Sequence, residues 1–143
     1  MYYMFKKLTI SIAYCLVIML FSSCSFPSLS SAKLFSDNVL KELSCNNWDF
    51  FWNNASETYK KKVDRVRLNK LRKWIDAELG LIKEYENTYF YSGSSFGITG
   101  GFFVKARYQV KFDKGPGEIE LTFVKENNRF KILNFDIYKK PIY

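Results

Sequence analysis

The sequence of 143 residues contains no histidine. Histidine is the side chain best suited to acid–base catalysis near neutral pH and the commonest metal ligand. Without it, an acid–base catalytic site or a metal site would lack its most usual residue. An enzyme would have to pair a carboxylate with tyrosine or lysine, and no spacing marks such a pair. Phosphate-binding loops, zinc spacings and calcium loops are missing from the sequence as well. The sequence therefore predicts no catalytic residue, no metal site and no cofactor.

Cysteine is almost as scarce, with only Cys15, Cys24 and Cys45. The first two lie in an N-terminal segment that has the features of a processed signal. One cysteine is then left for the folded part, and an intramolecular disulfide has no second partner. Because no histidine can activate it, Cys45 is predicted to be a small buried apolar side chain rather than a nucleophile.

Long apolar runs are lacking too. The longest apolar run, residues 8–21, carries no charge and is shorter than the roughly 20 residues that a membrane-spanning helix needs. Two lysines precede it, and Ser22-Ser23-Cys24 follows it. This order resembles the export signal and lipobox of bacterial lipoproteins, with Phe21 at the place where leucine is usual. A secretory signal cut near residues 31–32 and an uncleaved N-terminal anchor are the alternatives, but only the lipoprotein interpretation explains why a cysteine follows the serines.

The lipoprotein resemblance implies a processing scheme and a location. Residues 1–23 would be the signal peptide, residues 24–31 a lipidated tether and residues 32–143 the folded domain. Cys24 would carry diacylglycerol on its sulfur and a fatty acyl chain such as palmitate on its amine, and several chains on one residue hold a protein firmly in a membrane. Ser25, rather than an aspartate, follows the cysteine. By resemblance to Gram-negative lipoproteins, this favours the outer membrane, facing the periplasm.

After residue 31, a helical hydrophobic period gives way to a strand period, which is typical of an α+β domain. The aromatic content of 19% also excludes a disordered chain. We expect N-terminal helices packed on a curved antiparallel sheet of about four strands. The predicted helices cover residues 32–44, 48–55 and 68–79, and the predicted strands cover residues 82–91, 102–112, 118–123 and 130–137.

Local signals mark the ends of these elements. Gly80 follows the third helix, where a left-handed C-cap favours glycine. Residues 92–101 are rich in serine and glycine and are predicted to form a loop. Asn127-Asn128 is predicted to be a two-residue hairpin turn, since asparagine tolerates positive φ. A slip in the alternation near Leu133 predicts a bulge in the last strand.

Three stretches of sequence carry a family resemblance. They are Asn47-Trp48-Asp49 after the first helix, residues 108–115, and residues 118–137 around the closing hairpin, where Phe130 stands at a position that is often tryptophan. The chain resembles small bacterial proteins of unknown function, several of them lipoproteins, that have a cystatin-like (nuclear-transport-factor-two-like) cone. The resemblance implies the fold and no catalytic residues, since such folds serve enzymes and binding proteins alike.

Aromatic side chains form the candidate pocket, which consists of Trp48, Trp52, Trp74 and Tyr108. They could line a site for an apolar or aromatic ligand inside the cone, or they could pack between helices and sheet as core residues. Trp74 lies in the apolar stripe of the third predicted helix, with Leu68, Leu71, Ile75 and Leu79.

Three carboxylates, Asp49, Asp76 and Asp136, follow apolar neighbours closely enough to approach the cone interior. A catalytic role would need partners that the sequence does not mark. Exposed or helix-capping roles are the favoured interpretation of all three.

Residues 60–73 are the most basic part of the chain, with eight lysines and arginines against one aspartate. This stretch could be a solvated helical face. It could also contact an anionic surface: lipid headgroups, lipopolysaccharide phosphates or an acidic protein partner. Nucleic acid has a similar charge but lies in a different compartment, so we do not expect it. The candidate contacts are Lys60, Lys61, Lys62, Arg65 and Arg67.

The sequence as a whole predicts a lipoprotein of the cell envelope that is held in the membrane by lipid on Cys24 and binds a partner rather than transforming a substrate. An enzyme or small-ligand binder that uses the cone interior is the first alternative. A subunit of an envelope assembly, docked through the open face of the sheet, is the second.

Overall fold

The computed structural model describes residues 29–95 and 101–140. The predicted signal and Cys24 lie outside the described residues. Within these ranges, four helices precede a four-stranded antiparallel sheet, which confirms the predicted α+β fold. The helices are α1 (Leu29–Ser44), α2 (Trp48–Asn53), α3 (Glu57–Lys62) and α4 (Arg65–Glu78). The strands are β1 (Ile82–Ser95), β2 (Gly101–Phe112), β3 (Gly115–Glu126) and β4 (Arg129–Lys139).

The sheet is a meander in which the strands are hydrogen-bonded in the order β1-β2-β3-β4. Successive side chains of a strand point to opposite faces. The inner face, which packs against the helices, carries the buried residues of β2 and β3, namely Val104, Ala106, Tyr108, Val110, Phe112, Ile119, Leu121 and Phe123. The outer face carries the residues between them, including Lys105, Arg107, Gln109, Glu118, Glu120 and Thr122. Alternation in the sequence therefore predicted correctly which residues of these strands form the core.

The β3–β4 hairpin has the predicted turn and the predicted bulge. Asn127 and Asn128 have φ of 48° and 63°, in the left-handed region that asparagine tolerates. In the register of β3 with β4, Phe123 lies opposite Ile132 whereas Thr122 lies opposite Asn134. Leu133 is therefore the extra residue of a bulge, which returns the next residues of β4 to the phase of the inner face.

Helix α1 packs along the inner face of the sheet. Its buried residues recur with the helical period, and the Phe35 ring meets the Phe123 ring edge-on at a centroid distance of 5.2 Å. The described part of α1 begins at Leu29, three residues before the predicted start. Asn46 ends this helical segment with a φ of 59°.

Polar caps separate the three shorter helices. The side chains of Asn47, Ser56 and Asp64 each accept a hydrogen bond from a backbone N–H in the first turn of the helix that follows. Helix α3 was not predicted, because six residues with one buried side chain, Tyr59, show no readable period. Helix α4 begins at Arg65 rather than Leu68. Its predicted glycine C-cap is confirmed, since Gly80 has a φ of 76°.

The edge of β4 is joined to the segment between α2 and α3. Ser56 N donates to Ile132 O at 2.8 Å, and Ile132 N donates to Asn54 O at 2.8 Å. The Lys131 ammonium donates to Asn53 O at 3.0 Å. These contacts fix the start of α3 beside the first residues of β4.

Three predictions of local environment and length are wrong. Trp74 is 42% exposed, because α4 faces the core through Leu68 and Ile75, and Trp74 lies one residue to the side of that line. Cys45 is exposed, because it stands in the turn after α1. Strand β1 reaches Ser95 instead of ending at residue 91, since backbone pairing with β2 continues through the serine and glycine residues.

Candidate functional site

The basic stretch predicted from the sequence is divided between α3 and α4. Lys60, Lys61 and Lys62 form the last turn of α3, and Arg65 and Arg67 lie in the first turn of α4. Lysines in the last turn of a helix are favoured by the negative end of its dipole. We call these five residues the basic surface. Across residues 57–67, five cations stand against two anions, Glu57 and Asp64.

Trp52 anchors two of these cations. The Arg65 guanidinium carbon lies 5.0 Å and the Lys60 ammonium 5.7 Å from the centroid of its ring system. Arg65 also forms an ion pair with Asp49 at 2.7 Å. Cation–π contacts at exposed sites contribute about 0.5–1 kcal/mol each. Trp52 is thus a half-buried aromatic side chain flanked by two positive groups.

The other three cations are arranged differently. Arg67 Nη1 donates to Lys62 O at 3.0 Å, which satisfies a carbonyl at the end of α3 and joins the two helices. Lys61 and Lys62 are exposed, and neither side chain forms an ion pair with a described residue. Their charges are therefore not neutralised within the described part of the protein.

The structure does not bring the four candidate pocket residues together. Trp48 packs against the rings of Phe51 and Phe135 at centroid distances of 5.8 and 6.1 Å. It lines a cavity of about 20 Å³, close to the space that one water needs. Trp52 lies beside the basic surface, in contact with Lys60 and Arg65, and Trp74 is exposed on α4.

Tyr108, the fourth candidate, is fully buried at the centre of β2. Its hydroxyl lies 2.6 Å from Ser36 Oγ and donates to Asp37 Oδ1 at 2.8 Å. Burial raises the pKa of this phenol, and the hydrogen bond to Asp37 adds to the shift. Tyr108 thus joins β2 to α1 through two hydrogen bonds.

The three carboxylates considered from the sequence have different neighbours. Asp49 pairs with Arg65, and Asp76 lies on α4 at 4.0 Å from Arg72 Nε. Asp136 is half-buried on the outer face, where burial and the nearby charge of Glu120 raise its pKa. In the described parts of the chain, no group of three residues with suitable side chains could hold a metal ion.

The outer face of the sheet carries a network of ion pairs. Glu120 accepts from Lys105 at 2.9 Å and from Arg107 at 2.8 Å, and these bonds lower the pKa of its carboxyl group. Arg107 also pairs with Glu118 at 3.2 Å. The alternating charges of β2 and β3 in the sequence predicted this polar face.

Beside this network lies an aromatic patch that sequence reasoning missed. The Tyr89 and Tyr91 rings are stacked at 6.4 Å, and Phe103 lies 6.0 Å from Tyr91. The Arg107 guanidinium lies 5.9 Å from the Tyr89 ring centroid. A register shift between Asn87 and Tyr89 turns both tyrosines to the outer face. The only signal in the sequence was the tyrosine content of β1.

Comparison with models of protein families and with curated proteins finds no match to this chain. The cystatin-like resemblance therefore stays a prediction. None of the helices in residues 29–95 and 101–140 is both long enough and apolar enough to cross a membrane.

Proposed function

We propose that this protein is a lipid-anchored lipoprotein of the bacterial cell envelope whose domain is a non-catalytic binding module. The sequence support is the order of a basic pair, a short apolar run, Ser22-Ser23 and Cys24. Lipid on Cys24 would hold the protein in a membrane. Ser25 after the cysteine favours the outer membrane, with the domain facing the periplasm.

The observation that carries this proposal is the short connection between Cys24 and the folded domain. Helix α1 is described from Leu29, five residues after the cysteine. An extended chain of that length spans at most about 18 Å, at 3.3–3.6 Å per residue. Because Phe35 of α1 packs against Phe123 of the sheet, the folded domain would begin close to an anchor on Cys24. A protein anchored in this way works at the membrane surface.

The interior supports binding at the surface rather than catalysis inside the domain. Phe51, Tyr108 and Phe123 fill the space between helices and sheet, and all three are fully buried. The cavity beside Trp48 has room for about one water. An enzyme or small-ligand binder that uses the interior would need the helices to move away from the sheet.

The outer face of the sheet favours a second candidate function, as a subunit of an envelope assembly. Tyr89 and Tyr91 are 47% and 49% exposed, and they lie beside the half-buried Phe103. Exposed aromatic clusters rimmed by polar residues are typical of protein interaction sites. Reduced binding of a co-purified envelope protein after Tyr89→Ser and Tyr91→Ser would favour this function.

The anchoring proposal predicts that Cys24→Ser abolishes lipid attachment. Serine offers no thiol for transfer of diacylglycerol, so the unmodified precursor should keep residues 1–23. The measurement is incorporation of labelled palmitate in cells that express the full chain, followed by mass spectrometry of the N-terminus. Complete loss of label and a heavier precursor are expected.

Cys45→Ser is the matched control, because Cys45 is exposed and stands in the turn after α1. This variant should incorporate palmitate as the parent protein does. Label retained by Cys24→Ser, or a native N-terminus near Ala32, would show that the lipoprotein assignment is wrong.

A further inference from the structure

We propose that the basic surface docks on the anionic phospholipid headgroups of the membrane in which Cys24 is anchored. This inference rests on the proposed function, since lipid on Cys24 supplies the proximity. It adds a second contact between protein and membrane, and it gives the domain a defined orientation there.

The basic surface is connected to the early part of α1, the helix that follows the anchored end of the chain. The Phe35 ring, in the second turn of α1, stacks on the Phe130 ring at 6.0 Å. Two residues further along β4, Ile132 exchanges backbone hydrogen bonds with Asn54 and Ser56, and α3 starts at the next residue, Glu57. A strand advances about 3.4 Å per residue, so Phe130 and Ile132 are about 7 Å apart along β4. The early part of α1 and the start of α3 are therefore joined through three residues of one strand.

The same strand adds cations next to the basic surface. Arg129 is exposed at the β3–β4 turn, and Lys131 donates to the Asn53 carbonyl beside α3. Lys61 and Lys62 have no ion pair with a described residue, so their charges are available to an outside anion. A lysine or arginine near an anionic membrane gains about 1 kcal/mol, equivalent to about fivefold in affinity. A few such contacts are sufficient for a domain that is already tethered, because the tether supplies a high effective concentration.

Trp52 gives the surface a second feature that suits a lipid headgroup layer. It is half-buried, and the cations of Lys60 and Arg65 flank its ring system. Tryptophan is enriched at membrane–water interfaces, where its ring is partly in the apolar layer and partly in water. An acidic protein would also attract the cations, but a tether of at most about 18 Å between Cys24 and Leu29 keeps the domain beside the phospholipid surface at all times.

The test measures how accessible the lysines are in the complete lipidated protein. The protein is inserted into preformed vesicles, of phosphatidylcholine alone or of phosphatidylcholine mixed with phosphatidylglycerol, and exposed lysines are acetylated and quantified by mass spectrometry. On the anionic vesicles, Lys61 and Lys62 should react about fivefold more slowly than on the neutral ones. Salt at about 1 M, which shortens the Debye length to about 3 Å, should remove this protection. Lys83 and Lys114, near the β2–β3 turn, should react equally on both.

A charge variant tests whether the basic surface causes the protection. Lys61→Gln with Lys62→Gln removes two exposed cations, and the remaining lysine of α3, Lys60, then reports on docking. Its acetylation rate on anionic vesicles should return to the neutral-vesicle value. The matched control is Lys41→Gln with Lys111→Gln, which removes the same charge from exposed lysines elsewhere. The control should keep Lys60 protected, and circular dichroism should show that both variants fold.

Each result supports or overturns the proposal. Equal acetylation on the two kinds of vesicle would overturn docking on anionic lipid. Protection of Lys60 that persists after Lys61→Gln with Lys62→Gln would overturn it as well. Protection of Lys61 that needs added envelope protein would also overturn it and would identify an acidic protein as the occupant. Palmitate labelling is scored separately, so a lipidated protein without lysine protection refutes docking alone. A protein without lipid on Cys24 refutes the anchor.

Discussion

Phe123→Ala is expected to lower the free energy of unfolding by about 3–5 kcal/mol, the usual loss when a large buried aromatic side chain is truncated. Phe123 is fully buried on the inner face of β3, between Val104 and Ile132 of the neighbouring strands, and its ring meets Phe35 of α1. Truncation would leave a cavity between α1 and the sheet. The measurement is chemical denaturation of the full chain, followed by circular dichroism.

Phe103→Ala is the matched control, because it makes the same change on the outer face of β2, where the ring is half-buried beside Tyr91. Its loss should cost about 1 kcal/mol or less, the range of a cross-strand pair. A larger loss for Phe103→Ala than for Phe123→Ala would mean that the inner and outer faces are assigned the wrong way round, and equal losses would mean that the two rings are equally buried. Trp74→Ala should also have a small effect, because the structure exposes this side chain.

The contrast between Phe123 and Trp74 shows where sequence patterns are reliable. In β2 and β3 the apolar residues alternate strictly with polar ones. Because side chains alternate between the two faces with a period of two, this pattern determines which residues lie on the inner face. On α4, Trp74 and Ile75 are both apolar neighbours, and the period alone does not decide which of them faces the core. Ile75 is the one that is buried in the core, and this depends on how α4 packs in the whole fold.

The candidate site likewise has some features that the sequence predicts and others that depend on the packing of the whole fold. The cations of the basic surface are evident from the sequence, but their division between two helices depends on the caps formed by Ser56 and Asp64. The position of Trp52 between Lys60 and Arg65 follows from the packing of α2 beside α3 and α4, and no local pattern predicts it. The same holds for Tyr108, whose hydrogen bonds reach residues more than seventy positions away.

Tyr108→Phe is expected to lower the free energy of unfolding by about 1–3 kcal/mol, the cost of leaving a buried polar group without its partner. The Tyr108 hydroxyl donates to Asp37, so the Ser36 hydroxyl donates to the Tyr108 oxygen at 2.6 Å. Ser36 is fully buried, and after the change its hydroxyl would have only the carbonyl groups of α1 as acceptors. The measurement is again denaturation of the full chain at neutral pH.

A double-mutant cycle separates this hydrogen bond from the packing of the ring. Ser36→Ala alone removes the donor, and Ser36→Ala with Tyr108→Phe removes both members of the pair, so no buried hydroxyl is left without an acceptor. The combined loss should be smaller than the sum of the two single losses by about 1 kcal/mol, as expected for directly coupled residues. Strictly additive losses would show that the hydrogen bond between Ser36 and Tyr108 contributes nothing to stability, and would leave the Tyr108–Asp37 hydrogen bond and apolar packing to hold α1 to β2.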